Sequence, residues 1–184
     1  MNNDEANYRA FLEGDIGGFE NLVLAYKDSL IYFIQRYVKD IDTAEDLAQD
    51  AFVDVYLYKE RYTFRVSFKT YLYTIGRNKA VDYIRKNRRL VLMGDEESDE
   101  IEAQGQSLED RIVTEETSQT VRRALRKLKP DYQAAIELID LEGMSYADAA
   151  GILRKTLPQM KILIFRARKS LKKQLESEGY VYEN

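Results

Sequence analysis

Only two prolines and nine glycines interrupt these 184 residues, and between the breaks apolar side chains recur at steps of three and four. At 3.6 residues per turn that spacing gathers i, i+3, i+4 and i+7 on one face, so the chain is expected to be all-α. A first helix is predicted from Asn3 to about Glu13, stopping at Gly14. A second follows a break at Gly14–Gly18 and runs through Phe19, Leu22, Tyr26, Leu30, Phe33 and Tyr37. Thr43-Ala44-Glu45-Asp46 has capping-box spacing and opens a third helix to about Lys59. Its Leu47, Ala51, Val55 and Tyr58 form the inward stripe, Asp46, Gln49 and Asp50 project outward, and Asp54 lies at the boundary. Ser67 starts a fourth helix, to about Arg88.

The pattern stops at Met93-Gly94-Asp95-Glu96-Glu97. From there to Ser107 the chain is polar and acidic, with too little apolar surface to offset the entropy of ordering it. The expected layout is a helical domain over 1–91, a flexible acidic linker over 92–110, a second helical domain over 111–176 and a tail over 177–184. In the second domain a helix breaks at Pro130, and three more follow: Asp131 to Leu141, Ser145 to Leu153, and about Leu157 to Leu175. Gly143 suits a left-handed stop and Ser145 a new N-cap. A short helix, a tight connection at Arg154–Thr156 and a longer basic helix make a helix-turn-helix layout. The last helix begins either at Pro158, with Leu157 as a poor cap, or at Leu157, with Thr156 and Gln159 as a capping box. A three-helix bundle with a solvated basic face would show much the same pattern.

Net charge is −4, but it is striped: −8 over residues 1–60, +8 over 61–90, −9 over 91–120 and +5 over 121–184. Two basic blocks, each preceded by an acidic one, suggest two surfaces for nucleic acid. The first block also carries five rings between Thr63 and Arg89: Phe64, Phe68, Tyr71, Tyr73 and Tyr83. Cations track phosphates and aromatic faces stack unpaired bases, at about 1–3 kcal/mol per base. The second block has eight Lys or Arg and no acid from Arg154 to Lys173, with Leu157, Met160, Ile164, Ala167 and Leu171 as its packing stripe. There is no Cys and no His, which excludes disulfides, thiolate nucleophiles and histidine-based catalysis and leaves no usual zinc ligands. No run approaches the roughly 18 apolar residues of a membrane span, and the acidic start MNNDEANYRAFLEGD does not look like a leader, so a cytoplasmic protein with no membrane insertion is expected.

TAEDLAQDAFVDVY (43–56), SFKTYLYTIGRNKAVDYIRKNRR (67–89), LEGMSYADAAGIL (141–153) and FRARKSLKKQL (165–175), in that order, resemble bacterial sigma factors of the extracytoplasmic-function type. The resemblance spans about Phe11 to Arg89 and Val121 to Leu175. It implies a promoter-specificity subunit with no enzymatic step and no cofactor or metal, whose partners are core RNA polymerase, promoter DNA and an anti-sigma factor. Asp46, Gln49, Asp50 and Asp54 fall where such factors dock on the β′ clamp helices, with the β flap as a further polymerase contact. Phe64, Arg65 and Ser67 fall in the loop that receives a base flipped from the −10 element, and Phe68, Tyr71, Arg77, Asn78 and Arg85 on the adjoining helix. Thr156, Gln159, Lys161, Phe165 and Arg166 align with the helix that reads the −35 element. Departures occur at Arg154, where the family often has Gly, and at Ile162 and Leu163, where it commonly has Ser and Arg. The latter pair suits thymine methyls or a patch buried against protein.

Two other readings fit parts of the pattern. A stand-alone helix-turn-helix regulator would bind duplex without polymerase. A metal-dependent nuclease would need Asp46, Asp50 and Asp54 to converge with further ligands.

Overall fold

The computed structural model describes residues 3–93 and 116–177, and every structural statement below concerns those residues. The chain divides into two compact units, Met1–Gly105 and Gln106–Asn184, and no strand occurs among the described residues.

In the first unit α1 spans Asn3–Leu12, α2 Ile16–Val38, α3 Ile41–Leu57 and α4 Phe68–Met93, with one tight turn at Lys59–Arg61. α2 is the central element and packs against the other three. It buries Leu22, Leu30, Phe33 and Ile34 against Ala44, Ala48, Ala51 and Val55 of α3 and Phe68, Leu72 and Tyr73 of α4. Each large apolar side chain so buried contributes about 1.5–3 kcal/mol, and the alanines let α3 lie close.

Local capping departs from the sequence expectation in two places. α2 begins at Ile16, capped by the Asp15 carboxylate, which accepts from the Gly17 amide at 2.9 Å, so Gly17 and Gly18 are helical and do not form a break. Packing explains Gly18: a Cβ there would collide with the Asn7 carbonyl of α1. α3 begins at Ile41, because Asp40, and not Thr43, is its cap. The Asp40 carboxylate accepts from the Thr43 hydroxyl at 2.6 Å and the Thr43 amide at 2.8 Å, and these bonds hold it below the usual carboxylate range. The inward stripe of α3 is Ala44, Ala48, Ala51, Phe52 and Val55. Leu47 is only half-buried, and Tyr58 leaves the stripe because the helix ends at Leu57. Ser67 caps α4 as expected, its hydroxyl accepting from the Thr70 amide at 3.1 Å. α4 runs on to Met93, past the expected end near Arg88 and through Leu92, where the linker was expected to begin. The rest of the linker expected over 92–110, the start of the second domain expected at 111, and all but Ser177 of the tail expected over 177–184 lie outside the described residues.

The second unit holds α5 (Glu116–Arg126), α6 (Pro130–Ile136), α7 (Tyr146–Leu153) and α8 (Leu157–Ser177), with α8 packed on the other three. Ala124, Ala134, Ala135, Ala149, Ala150 and Ala167 allow close approach, and Leu125, Ile136, Leu138, Ile152, Met160 and Ile164 fill the centre. The helix expected to continue to Leu141 instead widens over Glu137–Leu141, where the Glu142 amide reaches back five residues to the Glu137 carbonyl at 2.8 Å. Gly143 then takes the predicted left-handed conformation at φ +64°, and the Ser145 hydroxyl accepts from the Asp148 amide at 3.1 Å. Arg154 ends α7 at φ +52°, a conformation more easily adopted by Gly, while the Lys155 amide bonds the Ala150 carbonyl at 2.9 Å.

Candidate partner-binding and nucleic-acid surfaces

On α3 the helical period separates a buried alanine face from an exposed one. Asp46, Gln49 and Asp50 are exposed together. Asp54 is drawn toward α4, its carboxylate 2.8 Å from the Lys79 ammonium, so part of its charge is already matched within the unit. Val53 and Leu57, 50% and 63% exposed, continue the Asp46–Asp50 stripe along the same side. The face is therefore acidic at one end and apolar at the other. Among the described residues no three acidic side chains are grouped to hold a metal ion.

The loop between Arg61 and α4 sits on a cluster of rings. Tyr8 of α1 is fully buried, donates its hydroxyl to the Lys59 carbonyl at 2.8 Å, and packs against Tyr62, Phe64 and Phe68 with centroids 4.7, 5.9 and 5.4 Å away. Tyr62 donates to the Val66 carbonyl at 2.8 Å and closes the loop on itself. Phe64 is half-buried at φ +60°, which costs a non-glycine residue about 1–2 kcal/mol. Its ring is held by Tyr62 at 4.7 Å on one side and by the Arg9 guanidinium at 4.4 Å, itself bonded to Glu5 at 2.7 Å. Burial pushes the Tyr62 phenol up to about 12, helped by the nearby Glu5 and Asp4 carboxylates. Tyr8 and Tyr71 are raised by burial as well.

The predicted −10 residues separate on this floor. Arg65 and Ser67 are exposed, Tyr71 is half-buried against Tyr62 at 5.0 Å, and Arg77 and Asn78 are half-buried. The Arg77 Nε is buried with no acceptor among the described residues. Arg85 is exposed, 3.8 Å from Asp82 one turn earlier. Phe68 is a correction: at 1% exposure it belongs to the core and cannot meet a base, because its face of α4 turns onto α1 and α2.

On α8 the open choice of start resolves to Leu157. The Thr156 amide donates to Gln159 Oε1 at 2.8 Å and the Gln159 amide to Thr156 Oγ1 at 3.3 Å, a reciprocal capping box. Both residues are exposed but serve the helix start, and this leaves the Gln159 amide nitrogen as the outward donor. Lys161, Phe165 and Arg166 are exposed, with Phe165 at 69%. Met160, Ile164 and Ala167 are buried, but Leu157, expected on the packing stripe, is 42% exposed. Two cations of the basic block are tied inward: Arg168 forks onto Asp140 at 2.5 and 3.1 Å, which raises its pKa further, and Lys155 meets Asp131 at 3.0 Å.

The sequence did not reveal Tyr8 and Arg9, more than fifty residues before the loop they support, nor Val53 and Leu57. The latter had a signal: both fall on the Asp46–Asp50 face of the helical wheel.

Residues 22–90 match the Sigma-70 region 2 family and residues 118–171 the Sigma-70, region 4 family. The chain is 30% identical over 171 residues to the ECF RNA polymerase sigma factor SigW of Bacillus subtilis (strain 168), covering 89% of this chain and 91% of that protein. It is 30% identical over 167 residues to the ECF RNA polymerase sigma-E factor of Escherichia coli (strain K12), covering 86% and 87%. Its fold matches the sigma factor RpoE in complex with the anti-sigma factor NepR from Bartonella quintana at a TM-score of 0.67 and 31% identity, over 86% of this chain and 96% of that one.

Proposed function

Because the chain belongs to the extracytoplasmic-function family of sigma factors, promoter-specificity subunits of bacterial RNA polymerase, we propose how its residues divide that work. The exposed Asp46–Gln49–Asp50 face of α3 docks on core polymerase, where its charge suits a basic partner and Val53 and Leu57 add apolar area. The Phe64 loop receives a base flipped from the −10 strand. Tyr71 lines it, Asn78 reads an edge, and Arg65, Arg77 and Arg85 neutralise phosphates. α8 enters the major groove at −35, with Gln159, Lys161 and Arg166 as polar contacts and Thr156 at its mouth.

Opening in this scheme needs no covalent step: captured bases shift the duplex equilibrium toward the open form. The observation that carries the reading is the Phe64 loop, held in a left-handed conformation by Tyr8, Tyr62 and Arg9 beside a basic helix. A preformed receptor of that kind meets an extruded base without a further ordering cost. A stand-alone regulator would leave both this loop and the α3 face without a task. The chain acts in the cytoplasm with polymerase, and by its likeness to RpoE it is restrained by an anti-sigma protein. No helix among the described residues is long and apolar enough to cross a membrane. Run-off transcription with core polymerase tests the reading: promoter-dependent product is expected, and failure to bind core or to initiate at any promoter recovered by crosslinking would refute it.

A further inference from the structure

α8 carries an apolar residue where a groove-reading helix would usually be most polar. Met160, Ile164 and Ala167 define its buried seam, and at 100° per residue the position almost diametrically opposite that seam is 162. The residue there is Ile162, 52% exposed, with Phe165 one turn on at 69%. Exposed Lys161, Arg166 and Lys169 surround the pair. Cations flanking an apolar centre fit the major groove of a duplex, where phosphates lie on both sides and the thymine 5-methyl is the apolar group on the base edges. Ile162 can neither donate nor accept a hydrogen bond. Set against guanine, cytosine or the amino group of adenine, it would strip water from a polar edge and return nothing.

We infer that Ile162 is a specificity-determining residue that reads a thymine methyl in the −35 element, with Phe165 closing over the same apolar step. The inference rests on α8 being the −35 reader and deepens that reading from a surface to a base. It predicts an A·T pair at the position facing Ile162 in every promoter the protein uses.

The test replaces single −35 thymines by deoxyuridine, which removes the methyl and leaves every hydrogen-bonding group in place. Holoenzyme assembled from the full chain and core polymerase is bound to a promoter recovered by crosslinking. One substitution should weaken binding about three- to five-fold, the worth of one buried methyl. Ile162→Ser should erase that sensitivity while keeping the unfolding midpoint and core binding, since the side chain is exposed. The inference is overturned if no deoxyuridine position affects the wild type, if Ile162→Ser remains equally sensitive, or if the promoters share no A·T pair in the element. Scrambling the whole −35 element separates the two levels: no loss of binding on scrambling sinks the −35 assignment itself, whereas loss on scrambling without deoxyuridine sensitivity sinks only the role of Ile162.

Discussion

The two surfaces proposed to meet DNA are built on opposite plans. The loop before α4 is continuous with the core: Tyr8, Tyr62 and Phe68 are buried, and Phe64 rests on them. α8 instead keeps core and reading face apart, with Met160 and Ile164 buried on one side and Ile162 and Phe165 exposed on the other. A surface that must seat an extruded base needs a rigid floor, and rigidity comes from close packing. A helix that enters a preformed groove needs only to be straight and well capped. The first surface therefore couples recognition to stability, and the second leaves them separable.

The sharpest test of that contrast is Phe68→Ala. It should cost the first unit about 3–5 kcal/mol, read as a lowered unfolding midpoint by calorimetry. A loss under about 1 kcal/mol would mean that the ring is not core. Alkaline titration comes next. Tyr8, Tyr62 and Tyr71 have folded pKa values raised above an unfolded value of about 10, so the stability they contribute is whole below that pH. It should be lost as pH climbs from about 10 through the Tyr62 value of about 12, with tyrosinate absorbance rising as ellipticity falls. Phenols that titrate near 10 with helicity intact would break the picture of a buried floor.

Smaller effects belong to the caps, one in each unit. Asp40→Ala and Thr156→Ala should each cost about 1 kcal/mol in denaturant unfolding. The sign with pH distinguishes them. The folded pKa of Asp40 is depressed, so its contribution is present above about pH 4 and disappears as pH falls through the lower folded value, whereas that of Thr156 does not titrate. Smallest of all is Phe165→Ala, expected within about 0.5 kcal/mol of wild type in stability while weakening duplex binding. A large stability loss there would erase the contrast between the two surfaces.

How far the sequence could be read follows the same division. On α8 the exposed set Lys161, Phe165 and Arg166 and the outward Ile162 were legible, because a helical wheel sorts them without reference to any other element. On α4 it could not separate Phe68 from Tyr71, three residues apart and both aromatic. One packs under α1 and the other stays half-exposed, and only the position of α1 decides which. Thr43 and Asp40 make a related point at a helix start: both residue types cap well, and in the structure Asp40, directly after the left-handed Lys39 that ends α2, is the one that caps α3.

By itself the sequence determined what is local: the all-α class, the caps at Ser67 and Ser145, the left-handed stop at Gly143 and the two basic blocks. Period and capping act over three or four residues, so they can be read without knowing how distant segments pack. Tertiary packing alone set which rings became floor, that position 18 has no room for a side chain against α1, and that Tyr8 and Arg9 hold Phe64. Those outcomes depend on contacts between residues as many as sixty positions apart, and no local pattern encodes them.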